Sequence, residues 1–357
     1  MKRWRHRVIM AAFLTFALLL FGMNVVVLTQ SPAAAASSKE EAAAFFQGKT
    51  IELVYCGTPG GGYHLWARLI GKYFKKYAGA NVVVISKNAA GGAEGIYYTY
   101  NIKGSRGLTL LLSRGPSQVL MEAMGFPGLD VRWDSTKFNY IGRITQDVNT
   151  FHVNPKKFKG IDDVRKAEEL KIGTDSALGS PNVHSTLYLE GLGLTNAKVI
   201  LGYKGTRERL LAVMQGEIDG SSGSYDSNFR YYKAGQLLPI CVLASERYPS
   251  APNVPTIWDL GVIKGAERWI RWSEDIDAVG RPLLAPPAVP KNRVAFLQNV
   301  LAKVVADPGF IGEVKKAKLY LDYLPPDKTK KTALNALDLS QDEVRELKHM
   351  FSKKWIK

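Results

Sequence analysis

At 357 residues, 46% hydrophobic and 22% charged, the chain holds apolar material for about two compact domains, and its composition excludes a disordered or fibrous protein. Lys and Arg number 48 against 32 Asp and Glu, a formal charge of +16, and the excess begins at once with Lys2, Arg3, Arg5 and Arg7. Only Cys56 and Cys241 are present, which excludes a disulfide scaffold.

The basic start precedes an apolar run from Val8 to Leu28, and Ala33 to Ala36 then offer an A-x-A cut before Ser37. This is the layout of a secretory signal over residues 1–36, so the body lies outside the cytoplasm and, without the four leader charges, carries +12. The apolar core is long enough to span a bilayer, so an uncleaved anchor is the alternative.

From Thr50 onward a short β-branched run, a Gly or Ser loop and a helix-period segment alternate, the pattern of parallel strands covered by helices. The first unit is a strand Ile51–Cys56, a loop Gly57–Gly62 and a helix over Tyr63–Tyr77. Leu65, Leu69, Ile70, Tyr73 and Phe74 form its buried stripe, and Gly79 ends it. Strands at Asn81–Ser86 and Leu108–Ser113, with a helix Ile96–Ile102 between them, complete a first lobe. Tyr140–Arg143 leads into Thr150–Val153. A second set follows, with strands Leu170–Gly173, Val199–Tyr203 and Leu238–Ala244 and helices Pro181–Leu192 and Arg207–Gln215. After an apolar stretch from Asp275 to Pro287 come helices Lys291–Ala306 and Pro308–Lys318 and a basic helical end, Ser340–Lys357. These are expected to pack back on the first lobe. The expected division is therefore lobe one at 48–145 plus 265–357 and lobe two at 146–264, with two crossings and a hinge. Cys56 and Cys241 each sit in an apolar strand-like run and read as buried small hydrophobes, with a single bridge as the alternative.

Gly60, Gly61 and Gly62 stand between a strand and a helix, where missing side chains let an anion reach backbone N–H groups at the positive helix end. A bare tight turn is the plainer reading. The G-x-G-x-x-G spacing fails at Leu65, and no G-K-[ST] follows, so neither nucleotide loop is present. The second lobe has a matching element in Gly173–Ser180, with Ser180 as N-cap and Pro181 as first helical residue. His64 and His184 each lie just inside a loop-following helix, as donors to a carboxylate or as partners of their own loops. The histidines and cysteines lack metal-ligand spacing, and Gly220-Ser-Ser-Gly223 is one residue short of a nucleophile elbow, so no cofactor, metal or catalytic residue is assigned. The positives are spread, which reads as a solvated basic face rather than a nucleic-acid surface.

From about Ile51 to Asp322 the chain resembles the extracytoplasmic solute receptors of tripartite tricarboxylate transporters, the Bug receptors. The likeness rests on Pro59-Gly-Gly-Gly-Tyr-His-Leu-Trp-Ala-Arg68, Asn88 with Gly91-Gly92, Gly107-Leu-Thr-Leu-Leu111 and Tyr203-Lys-Gly-Thr206. It continues in Gln215-Gly-Glu-Ile-Asp219, Lys233-Ala-Gly-Gln-Leu237, and Arg247 with Pro252-Asn-Val-Pro-Thr256. The resemblance implies an α/β, two-lobed periplasmic-binding-protein-like fold of type II, each lobe a mixed, mostly parallel sheet flanked by helices. It also implies a periplasmic monomer that closes on a small organic carboxylate and delivers it to membrane permease subunits. Carried over, the site is Gly60, Gly61, Gly62, Tyr63 and His64 from lobe one and Ser176, Gly179, Ser180 and His184 from lobe two, completed by Tyr203, Ser222 and Ser224. His64 departs from the family's Asp, the stretch after Asn88 lacks the usual Arg-Pro, and Ser222 and Gly223 replace bulkier types. An aromatic or dicarboxylic acid is the candidate ligand, with Tyr63 and Trp66 as aromatic surface. The alternatives are an exported enzyme using His64 or His184 as base, and a sensory receptor that presents the acid to a membrane kinase.

Overall fold

The computed structural model describes residues 32–102, 104–125, 133–175, 179–351 and 355, and residues 42–357 form one compact unit. Most of the expected signal segment lies outside the described residues; helix α1 begins at its end and runs Pro32–Phe46.

Two five-stranded sheets follow. The first is built from β1 (Thr50–Tyr55), β2 (Asn81–Ser86), β3 (Thr109–Leu112), β4 (Asn139–Arg143) and the late strand β10 (Pro282–Ala285), in the order β2-β1-β3-β10-β4. Between them lie α2 (Gly62–Ala78), α3 (Ala93–Asn101) and α4 (Gly115–Met124). The sequence of β1 explains why this sheet is covered on both faces. Ile51, Leu53 and Tyr55 point to one side, against Trp66, Ile70 and Leu297, while Val54 and Cys56 point to the other, with Ile96 and Val119. Each such fully buried apolar side chain contributes roughly 1.5–3 kcal/mol. The α2 stripe differs from the expected one in a single place: Leu65 is 38% exposed, and the wholly buried Trp66 takes its position facing Phe310. Gly79 ends α2 at φ 67°, as its sequence position required.

The second sheet is built from β5 (Asn149–Val153), β6 (Leu170–Gly173), β7 (Ala197–Ile200), β8 (Gly220–Ser224) and β9 (Leu238–Val242), ordered β7-β6-β8-β5-β9. Its helices are α5 (Ile161–Lys166), α6 (Ser180–Leu192), α7 (Thr206–Gln215) and α8 (Tyr225–Lys233). The central strand β8 reads Gly-Ser-Ser-Gly-Ser, a poor strand by propensity. It is held by β6 and β5 on its two edges, and its small side chains let α6 lie against it.

The chain leaves the first sheet after β4 and returns through α9 (Glu267–Val279) into β10 (Pro282–Ala285). The two crossings run side by side: Ile144 N–H donates to the Arg281 carbonyl (3.0 Å), Arg281 N–H to Thr145 (2.9 Å) and Asp147 N–H to Asp277 (3.2 Å). A side chain at Gly280, φ 60°, would collide with the Thr145 carbonyl, so this paired hinge needs its glycine. Helices α10 (Lys291–Ala306) and α11 (Pro308–Lys316) pack against α2, and α12 (Pro326–Asn335) lies against β4.

The closing segment does otherwise. Beyond α13 (Gln341–His349), the Phe351 carbonyl accepts from Asn182 (3.1 Å) and the Trp355 carbonyl from Val199 N–H of β7 (3.0 Å), so the chain ends on the second lobe. Burying Phe351 and covering an edge strand outweigh keeping this basic segment solvated. Cys56 and Cys241 are free and fully buried.

Candidate functional site

Between the sheets lies a cavity of about 740 Å³ lined from both lobes. Five helices begin at its wall: α2 after Gly61, α4 after Arg114, α6 after Gly179, α7 after Gly205 and α8 after Ser224. None of the five has a side-chain hydrogen bond at its cap. The first N–H of α4, on Gly115, is taken by the Gly280 carbonyl (2.9 Å) and that of α8, on Tyr225, by the Val148 carbonyl (3.0 Å), so the positive dipole ends of α2, α6 and α7 are the ones that make this space suited to an anion.

The glycine turn of lobe one is shaped for close approach. Gly60 adopts φ 81°, Gly61 N–H donates to the Thr58 carbonyl (3.1 Å), and Gly60 N–H donates to His64 Nδ1 (3.0 Å). His64 therefore closes its own turn, stacked on Tyr55, and lines a separate surface depression with Leu65 and Arg68 rather than the main cavity. A Cβ on Gly62 would meet Ser227 Oγ of the second lobe at 2.5 Å, so the two lobes are already in contact beside the turn.

In lobe two the N-cap is Gly179, not Ser180, which is the first helical residue with Pro181 after it. Ser180 lines the cavity, while its hydroxyl and carbonyl lie 3.1 and 2.7 Å from His184 Nδ1. His184 points inward. Its Nε2 lies 2.7 Å from Asp277 Oδ1, both side chains buried. Burial opposes the imidazolium, but the Asp277 charge and hydrogen bond outweigh it and hold the His184 pKa above its ordinary value. His184 is thus a local structural partner, unsuited to a free base. Ser222 is likewise enclosed, donating to the Pro181 carbonyl (2.8 Å) and accepting from Ser185 (3.1 Å), and Tyr203 donates to Glu217 (2.8 Å) away from the cavity.

At the hinge end of the cavity Tyr63 donates to Asp147 Oδ2 (2.9 Å), and Arg281 donates to Asp147 Oδ1 (2.9 Å) and to Ser224 Oγ (2.9 Å). Burial works against the Asp147 charge, yet the Arg281 guanidinium wins and lowers its pKa. Burial, then the Asp147 charge, push the Tyr63 phenol well up. Cys56 also lines the cavity, but burial pushes its thiol up to about 12, so it is no thiolate nucleophile.

Of the residues expected from the sequence, Gly60, Gly61, Gly62, Tyr63, Ser180 and Ser224 meet at the cavity; Gly179 caps α6 behind it, and Ser176 lies outside the described residues. His64, His184, Tyr203 and Ser222 do not line it. Sequence reasoning missed Arg114 and Arg209. Arg209 shares the i, i+3, i+4 stripe of buried Ala212 and Val213, which is the signal that marks a buried cation.

No family model matches the chain. Among curated proteins it is 25% identical over 223 residues, 60% of this chain and 67% of the relative, to protein BugT of Bordetella pertussis (strain Tohama I). Among solved structures it is similar to the periplasmic binding protein BugD, with a TM-score of 0.66 and 20% identity over 87% of this chain and 98% of that one. An R. palustris protein solved with adipate gives a TM-score of 0.66 and 18% identity over 84% and 97%. These similarities bear out the resemblance to the Bug receptors and the two-lobed fold.

Proposed function

We propose that this chain is an extracytoplasmic receptor that binds a small organic carboxylate between its lobes and hands it, without altering it, to the membrane permease subunits of a tripartite tricarboxylate-type transporter. The observation that carries the reading is the convergence of the helix starts of α2, α6 and α7, from both lobes, on one cavity between sheets joined by a paired hinge. That arrangement holds an anion by preformed donors and lets it leave when the lobes part. Residues 48–145 with the return strand β10 and helices α10 and α11, and residues 146–264, are the moving bodies, and the exported protein acts as a periplasmic monomer. The adipate bound by the R. palustris neighbour supports the ligand class.

A thermal-shift screen of the mature chain against mono-, di- and tricarboxylates, aromatic acids included, tests this. At least one acid raises Tm, mass spectrometry recovers it unchanged, and Gly61→Asp, which sets a negative charge in the turn, abolishes the shift. A screen with no shift, or an acid consumed during incubation, overturns the reading.

A further inference from the structure

Arg209 stands 1% exposed on the lobe-two wall of the cavity. Its Nε donates to Ser221 Oγ (2.6 Å) and its Nη2 to the Ser222 carbonyl (3.3 Å), but Nη1 is buried with no hydrogen-bond partner. Buried donors are normally paired, and an unmade bond to a charged group costs more than a neutral one. Arg114 lines the same cavity from lobe one, its guanidinium 5.9 Å from the Tyr63 ring centre. Burial lowers the Arg209 pKa; Asp175 offsets this in part, and the Arg114 charge adds to it, so the two guanidiniums feel each other across the cleft. Lys204, Arg207 and Arg230 stand exposed at the rim. Against these five cations the lining offers two carboxylates, Asp175 and Asp147, and Asp147 is engaged by Arg281. Two like charges facing one cavity from opposite lobes, with a buried unused donor on Arg209, describe a seat built for a negative group.

We propose that Arg209 and Arg114 form a second anion seat in the cleft, distinct from the glycine turn, and that the ligand therefore carries two separate anionic groups. The helix starts at Gly62 and Ser180 hold one carboxylate, and the two arginines hold the other. This rests on the receptor reading, since both seats belong to one ligand. The exposed rim cations draw the dianion in, and the inner pair discriminates it from a monoanion of the same shape.

The test compares malate, adipate and an aromatic diacid with the corresponding half-amides, which keep size and remove one charge, by calorimetry and thermal shift on the mature chain. The diacid that binds best is expected to bind at least about tenfold tighter than its half-amide. Arg209→Gln and, independently, the less buried Arg114→Gln erase that preference, so that diacid and half-amide bind each variant within about twofold of one another. Should Arg209→Gln fail to fold, Arg114→Gln alone decides. A diacid and half-amide bound equally by the wild type, or a preference that survives the arginine variants, overturns the second seat and leaves the receptor standing. Binding of none of the acids or amides overturns both.

Discussion

Arg281 Nη2 stands 2.9 Å from Asp147 Oδ1, and the two residues belong to the two opposite crossings between the lobes. The ion pair thus ties the crossings together at the point where lobe motion must pivot. Tyr63 joins it from the end of the glycine turn and Ser224 from the start of α8, so the hinge and the cavity share one polar cluster.

Removing one member of this cluster has unequal costs. Asp147→Ala leaves Arg281 buried without its counter-charge and is expected to cost about 3–5 kcal/mol. Tyr63→Phe deletes one hydrogen bond while Asp147 keeps Arg281, and costs about 1–2 kcal/mol. Urea unfolding of the two variants measures the difference; equal costs would show that Asp147 and Arg281 do not act as a pair.

Stability is expected to fall as pH rises through the Asp226 titration. Burial first, with a smaller push from Asp147, raises this carboxyl to about 6 against the opposing effects of Arg281 and the Tyr248 hydroxyl, which donates to Asp226 at 3.0 Å. A folded pKa above the unfolded value means that the group's contribution is complete below about pH 4 and is lost as pH climbs past 6. The loss amounts to about 3 kcal/mol by pH 8. Asp226→Asn removes that slope. Chemical denaturation of wild type and variant at pH 5 and pH 8 checks the sign, and a wild type that loses no more than the variant refutes it.

Gly62 faces lobe two, with Ser227 Oγ and Arg281 Nη1 where a side chain would go. Gly62→Val is therefore expected to wedge the lobes apart, lowering affinity for the stabilising acid by tenfold or more, at about 1–3 kcal/mol in stability. Small-angle scattering with and without the acid reads the closure directly. A variant that compacts on binding as the wild type does would place the contact outside the closing motion.

The sequence makes the alternation, the signal-like start and several elements legible because they rest on local chemistry. Lys291–Ala306 is read to the residue from its 3.6 period, and Gly79 from the need for a left-handed cap. β8 escaped because Gly-Ser-Ser-Gly-Ser becomes a strand only when β5 and β6 flank it. The histidines misled for a related reason. His64 and His184 sit where ligand donors would, but a neighbouring turn N–H and a distant Asp277 claim their nitrogens, and no linear pattern reveals Asp277 as that partner. Half of the expected site meets at the cavity because glycine turns before helices are local features; Arg209 shares the buried stripe of Ala212 and Val213, but that this stripe faces the cavity shows only once α7 is placed against β8.

The end of the chain offers a separate test, because it binds the lobe that the alternation did not assign to it. Phe351 is 1% exposed and stacks on Trp272 at 6.4 Å between ring centres, while Trp355 Nε1 donates to Glu190 (2.6 Å). Helix α9, which carries Trp272, leads into the return crossing, so this contact fixes the hinge helix from outside the cleft. Phe351→Ala is expected to cost about 3–5 kcal/mol through the cavity it leaves. Affinity for the acid changes far less, since no atom of the ligand site is touched. Urea unfolding and calorimetry on one preparation separate the two effects. A variant of wild-type stability would mean that the closing segment is not held by its aromatic anchor, whereas a large loss of affinity at retained stability would make the segment part of the closing mechanism.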